Sequence, residues 1–147
     1  LGEQAVCVEQ MTAKACRKEL QKIRETIGTV TEEPAVFFRI PGGEYNNEVL
    51  RTIYACGSYP VAWSVDSMDW KEYEAGELVR QLLQSCTIRD GEILRFHGEG
   101  ENTGEMVKLL HPRLKEEGYE AVTVSQMVYK DRYRMTTDGR QIPEKSK

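Results

Sequence analysis

Stretches with apolar residues at helical spacing alternate along this chain with short apolar runs, and no two of a kind are adjacent. The first helical stretch runs from a Thr12 cap to Ile27, with Ala13, Cys16, Leu20, Ile23 and Ile27 on one face and Gly28 as its stop. Ala35 to Phe38 follows as an apolar run ending in Arg39, and Pro41-Gly42-Gly43 then forbids regular structure. Asn46 or Asn47 caps a second helix carrying Val49, Leu50, Ile53 and Cys56. Val61 to Val65 is the next strand, a nearly continuous apolar run that suits a parallel strand covered on both faces. A third helix uses Leu78, Val79, Leu82, Leu83 and Cys86, and Glu92 to Phe96 then reads as a strand closing on His97. Thr103 caps a fourth helix through Met106, Val107, Leu110 and Leu114, which Pro112 is expected to kink and Gly118 to end. Ala121 to Val124 is a last strand, and Ser125 opens a short final turn of helix. Strict alternation implies an α/β fold with a parallel sheet and right-handed crossovers. The expected organisation is one domain over residues 1–129 and a loose polar tail over residues 130–147.

At 147 residues, 39% of them hydrophobic, the chain can bury a real core. A net charge of -4 argues against a nucleic-acid or anionic-membrane surface, and no apolar run approaches a membrane span. The first ten residues carry no basic segment followed by an apolar one, so no signal peptide is visible. The first residue is Leu, not Met, so the natural start is expected upstream. None of the four cysteines sits in a Cys-x-x-Cys pair, and Cys16, Cys56 and Cys86 fall on apolar helix faces, where free thiols are expected.

The first three strands each end on a polar group: Arg39, then Asp66, then His97. Parallel strands put their C-terminal ends on one side, so these groups are expected to share a rim. A histidine there is either a satisfied core residue or a general acid, and an acid needs a carboxylate, Asp69 or Asp66, to fix its tautomer. Arg39 is either a plain ion-pair partner or a fork that orients a catalytic carboxylate. Trp70 is either core or a face for a sugar to stack on. His111, mid-helix beside Pro112, reads as structural or solvated. Asp66 and Asp69 as a glycosidase pair is disfavoured, because residues three apart in one loop do not flank a bond from opposite sides.

The segments FFRIPGGEYNNEVL, VAWSVDSMDW, GEILRFH with a following Thr, and GYEAVTV resemble the polysaccharide deacetylase (NodB-homology) family of carbohydrate esterases. The likeness runs from about Thr12 to Val128, with three family motifs in order. It implies the C-terminal part of a distorted (β/α) barrel that removes N- or O-acetyl groups from glycans with a divalent metal, most commonly zinc. By that resemblance Arg39 orients the catalytic base, the Gly42 N–H stabilises the oxyanion, Asp69 tethers the catalytic histidine, Trp70 walls the substrate groove, and His97 protonates the leaving amine. Asp66 is taken as a substrate-binding acid.

This chain departs from the pattern at Arg95, where the family prefers a Leu lining the acetyl pocket, and at Gly42, usually an aromatic. The family's Asp-Asp and His-x-x-x-His motifs, which carry its base and metal ligands, do not occur in this sequence. No metal is therefore expected on this chain's own residues, and the chain alone is expected to be inactive. The implied partners are acetylated peptidoglycan or a chitin-like polymer, and either an N-terminal half or a second chain covering the open sheet edge. Cell-envelope or extracellular work is implied by the family alone. The alternative is a degenerate module that holds glycans without chemistry.

Overall fold

A computed structural model of the protein describes residues 12–43, 45–98 and 100–144. The chain divides into two compact units, one ending at Trp63 and the other beginning at Ser64.

In the first unit, α1 (Ala13–Thr31) starts where the Thr12 hydroxyl accepts the Ala15 N–H at 3.3 Å. It does not stop at Gly28 but runs on to a left-handed Glu32 (φ 59°). Around the glycine the helix keeps its pattern, with the hydroxyls of Thr26, Thr29 and Thr31 each bonding back to the carbonyl four residues earlier. A mid-helix glycine costs only about 1 kcal/mol, too little to end a helix by itself. Strand β1 (Phe37–Arg39) is followed by a short 3-10 segment, Pro41–Gly43, kinked at Gly42. Helix α2 (Asn47–Ala55) is capped by Asn46, whose Oδ1 accepts the Val49 N–H at 2.9 Å. Strand β2 (Tyr59–Val61) then lies parallel to β1. Cys16, Leu20, Ile40, Val49 and Ile53 form the buried core, each aliphatic side chain contributing about 1.5–3 kcal/mol. A Cβ on Gly43 (φ 81°) would stand 2.8 Å from the Trp63 ring, so a side chain there would have to displace the indole and take a strained backbone.

The expected single strand from Val61 to Val65 does not form. β2 ends at Val61, and β3 (Val65–Asp66) pairs with a different partner, β4 (Leu94–Arg95), again in parallel. Between them Ala62 and Ser64 are exposed, so the run is not covered on both faces. Ser64 turns its hydroxyl to accept the Ile93 N–H at 3.1 Å, and its own N–H donates to the Ile93 carbonyl. The described residues thus hold two parallel strand pairs instead of one parallel sheet.

The second unit packs α3 (Ala75–Ser85) against α4 (Thr103–Glu116), with Val65, Leu78, Val79, Leu82, Met106 and Leu110 as its core. Pro112 lies inside α4, which continues through it. The expected last strand at Ala121 to Val124 is unpaired; Thr123 instead forms a capping box with Gln126 and opens α5 (Val124–Met127). A cavity of about 620 Å³ lies there, lined in part by Leu94, Phe96, Leu110 and Val122. Within the described part of the polar tail, residues 130–144, regular structure forms where a loose segment is expected. Strands β5 (Tyr133–Met135) and β6 (Gln141–Pro143) form an antiparallel hairpin whose turn carries Gly139 at φ 83°, and Arg140 bridges to Glu92 at 3.0 Å. Cys16, Cys56 and Cys86 are free thiols, and Cys7 lies outside the described residues.

Candidate active site

The chain leaves β3 through a tight loop that Asp66 itself builds. Its Oδ1 accepts the Met68 N–H at 2.9 Å, an Asx turn that carries Met68 into the left-handed region (φ 53°). This reversal turns Asp69 inward, where it is 1% exposed, and leaves Trp70 outward, 60% exposed. Trp70 is therefore not core.

A carboxylate so buried needs partners for its oxygens. Asp69 has four. Ser67 donates its hydroxyl at 2.9 Å, the His97 main-chain N–H reaches both oxygens at 3.1 Å, the His97 ring Nδ1 stands 2.7 Å from Oδ1, and the Thr103 hydroxyl donates to Oδ2. Burial alone would push the Asp69 carboxyl up, but the bonds from Thr103, His97 and Ser67 outweigh it and hold the group well below the usual carboxylate range. Asp69 is thus an ionised acceptor, so the hydrogen on His97 Nδ1 must be the one donated. The second ring nitrogen, Nε2, is left facing Asp66 Oδ2 at 3.9 Å, too far for a hydrogen bond. The His97 side chain is 20% exposed, and the Trp70 ring meets it edge-on at 6.4 Å between centroids.

Sequence reasoning placed Asp66, Asp69, Trp70 and His97 in this group, and the second unit brings the four together. Arg39 and Gly42 belong to the first unit. Arg39 is exposed at the end of β1, and Gly42 takes φ 73° with open space where a Cβ would be. His111 is exposed on α4. Three residues of the site were missed. Thr103 was expected to cap α4; Asn102 holds the cap position, and the Thr103 hydroxyl goes to Asp69. Ser67 carried no signal beyond its place between the two acids. Gly100 sits so close that a Cβ there would collide with the Asp69 carbonyl oxygen, and only its position in the polar loop before the helix hinted at it.

Among the described residues no three His, Cys, Asp or Glu side chains are placed to hold a metal ion. Asp69 in particular has both oxygens taken by hydrogen-bond donors. The groups present do not fit the divalent metal that the family resemblance implies. What they can do is fix one tautomer of an imidazole and present its other nitrogen beside an aromatic face.

No family model matches the chain. It is 30% identical over 121 residues to the peptidoglycan-N-acetylglucosamine deacetylase PgdA of Listeria monocytogenes, across 80% of this chain and 25% of that protein. To the peptidoglycan-N-acetylglucosamine deacetylase of Bacillus cereus it is 32% identical over 102 residues, 66% of this chain and 46% of that protein. It therefore spans from a quarter to just under half the length of these relatives. Among solved structures, a mutant of a CE4 family pseudoenzyme with restored enzymatic activity superposes with a TM-score of 0.75 at 25% identity, over 86% of this chain and 46% of the other. By sequence and by fold the chain is homologous to the polysaccharide deacetylases, the NodB-homology carbohydrate esterases, and matches their C-terminal portion.

Proposed function

We propose that this chain supplies the proton-donating half of a site that removes acetyl groups from an acetylated glycan. The observation that carries this reading is the buried Asp69 holding His97 through Nδ1, with Nε2 left to face Asp66 beside Trp70. As the acetyl C–N bond breaks, protonated His97 gives its Nε2 hydrogen to the departing sugar nitrogen and returns to the Nδ1–H tautomer. Asp69 stabilises the imidazolium without taking its proton. Trp70 offers a flat face to a sugar ring. Arg39, as the group that orients a catalytic base, and Gly42, as an oxyanion donor, enter through the family resemblance alone. Peptidoglycan or a chitin-like polymer is the proposed substrate, by analogy with the Listeria and Bacillus relatives, and the cell envelope the proposed place of work. No helix among the described residues is long and apolar enough to cross a membrane.

The steps given to these residues involve no metal. Water activation is assigned to groups outside them, in an N-terminal half or a second chain. The 147-residue chain by itself is therefore expected to release no acetate, and zinc-dependent release from it would contradict the reading. In the complete enzyme, His97→Gln should lower acetate release from N-acetylated glycan by about 10²–10⁴-fold. A wild-type rate in that variant would remove His97 from the chemistry.

A second reading, a glycan-binding module without catalysis, is favoured by the Arg95–Asp66 ion pair beside His97, which places a guanidinium where the family resemblance implies an apolar acetyl pocket. Glycan binding by the complete protein with no acetate release under any metal would select it.

A further inference from the structure

Asp66 and Arg95 stand directly opposite each other in the β3–β4 register, and Arg95 Nη1 lies 3.5 Å from Asp66 Oδ2. That same oxygen is the one 3.9 Å from His97 Nε2. One carboxylate oxygen therefore lies between a guanidinium and the ring nitrogen that Asp69 leaves open. A movement of about 1 Å would turn the 3.9 Å approach into a hydrogen bond and close that nitrogen. An ionised carboxylate beside an imidazolium has every electrostatic reason to make it, unless another cation holds it back.

We propose that Arg95 is a positioning residue: by holding Asp66 in an ion pair across the two strands, it keeps that carboxylate off His97 Nε2 and so keeps the nitrogen available to a ligand. The inference rests on the reading of His97 as the proton donor, and it gives Arg95 a use that an apolar residue there could not have. Without the guanidinium, His97 would be gripped by a carboxylate at each nitrogen and would hold its proton to higher pH, making it a poorer donor. Among the described residues, the charged groups recorded near the ring are Asp69 at Nδ1, Asp66 facing Nε2 with Arg95 paired to it, and Lys71 5.9 Å from the centre of the Trp70 ring that flanks it.

The test is an NMR titration of the His97 ring protons in the intact chain, with exposed His111 as the internal control. It needs no substrate and no turnover, so a protein that deacetylates nothing can still pass or fail it. Arg95→Leu should raise the His97 midpoint by about one pH unit, from the lost cation and the released carboxylate together. Asp66→Asn should lower it, because the carboxylate 3.9 Å from Nε2 loses its charge while the guanidinium beside it remains. The double variant should return close to wild type. Should Leu disturb the strand pair, Arg95→Met keeps the long apolar stem and reads the same effect. A midpoint that does not move in Arg95→Leu or Arg95→Met, or a double variant that keeps the raised value, would overturn the proposal.

Discussion

Asp69 is a charge that only its neighbours make tolerable, and most of the site's energetics follow from that. Thr103→Val removes the hydroxyl that donates to Oδ2 and leaves a buried lone pair without a partner. The variant should lose about 1–3 kcal/mol in chemical denaturation and move the Asp69 carboxyl back toward its usual range. The sign of the pH dependence is fixed by the same bonds. Because the folded carboxyl titrates below the unfolded one, the unfolded state takes up protons first as acid is added. The stability Asp69 contributes is complete above about pH 4 and is lost as pH falls through and below that value. Denaturation midpoints across that range should fall for wild type and stay flatter for Asp69→Asn; parallel profiles would contradict the assignment. Gly100→Ala drives a Cβ into the Asp69 carbonyl, a main-chain atom that cannot swing away, and should cost about 1–3 kcal/mol. The imidazole was legible in sequence because an apolar run closed on it, and Asp69 because it follows the strand end at Asp66 within one short loop. The bond from Thr103 to Asp69 was not, because a threonine hydroxyl before a helical pattern can either accept an N–H of its own helix or donate to a distant carboxylate. Sequence spacing registers only the first.

At the scale of elements, local chemistry was readable where a side chain bonds its own backbone and unreadable where a partner strand decides. Thr12 and Asn46 cap their helices as expected, since those bonds close within three residues. The Val61–Val65 run was misread because a continuous apolar stretch carries no mark of where one pairing ends and another begins. Ser64 provides that mark in the structure by bonding Ile93 across the chain. Gly28 failed as a stop because a glycine inside a helix costs only about 1 kcal/mol, and the left-handed cap falls later, at Glu32. Helix α4 retains Pro112 despite the missing N–H donor. Pro112→Ala restores that donor at an exposed position and should raise the thermal midpoint, with a gain of at most about 3 kcal/mol. An unchanged midpoint would mean that the turn around Pro112 is already relaxed at no cost.

At the scale of the whole molecule, homology to the deacetylases and the Asp69–His97 pair point the same way, while Arg95 and the lack of a metal-fitting cluster among the described residues mark this chain's own character. Exposed Trp70 belongs at this scale because the proposed function gives it a sugar ring to meet outside the chain. Trp70→Ala should leave stability within about 0.5 kcal/mol of wild type yet weaken glycan binding by about 0.5–1.5 kcal/mol, readable by calorimetry with chitin-type oligosaccharides. The account as a whole depends on which nitrogen of residue 97 carries the hydrogen in the neutral ring. Long-range ¹H–¹⁵N correlation above the His97 midpoint reads this directly. Asp69 as an ionised acceptor requires the Nδ1–H form, with Nε2 bare and ready to be reprotonated. A neutral His97 found with its hydrogen on Nε2 would contradict the account, since Asp69 would then hold nothing and the imidazole would have no fixed direction in which to give a proton.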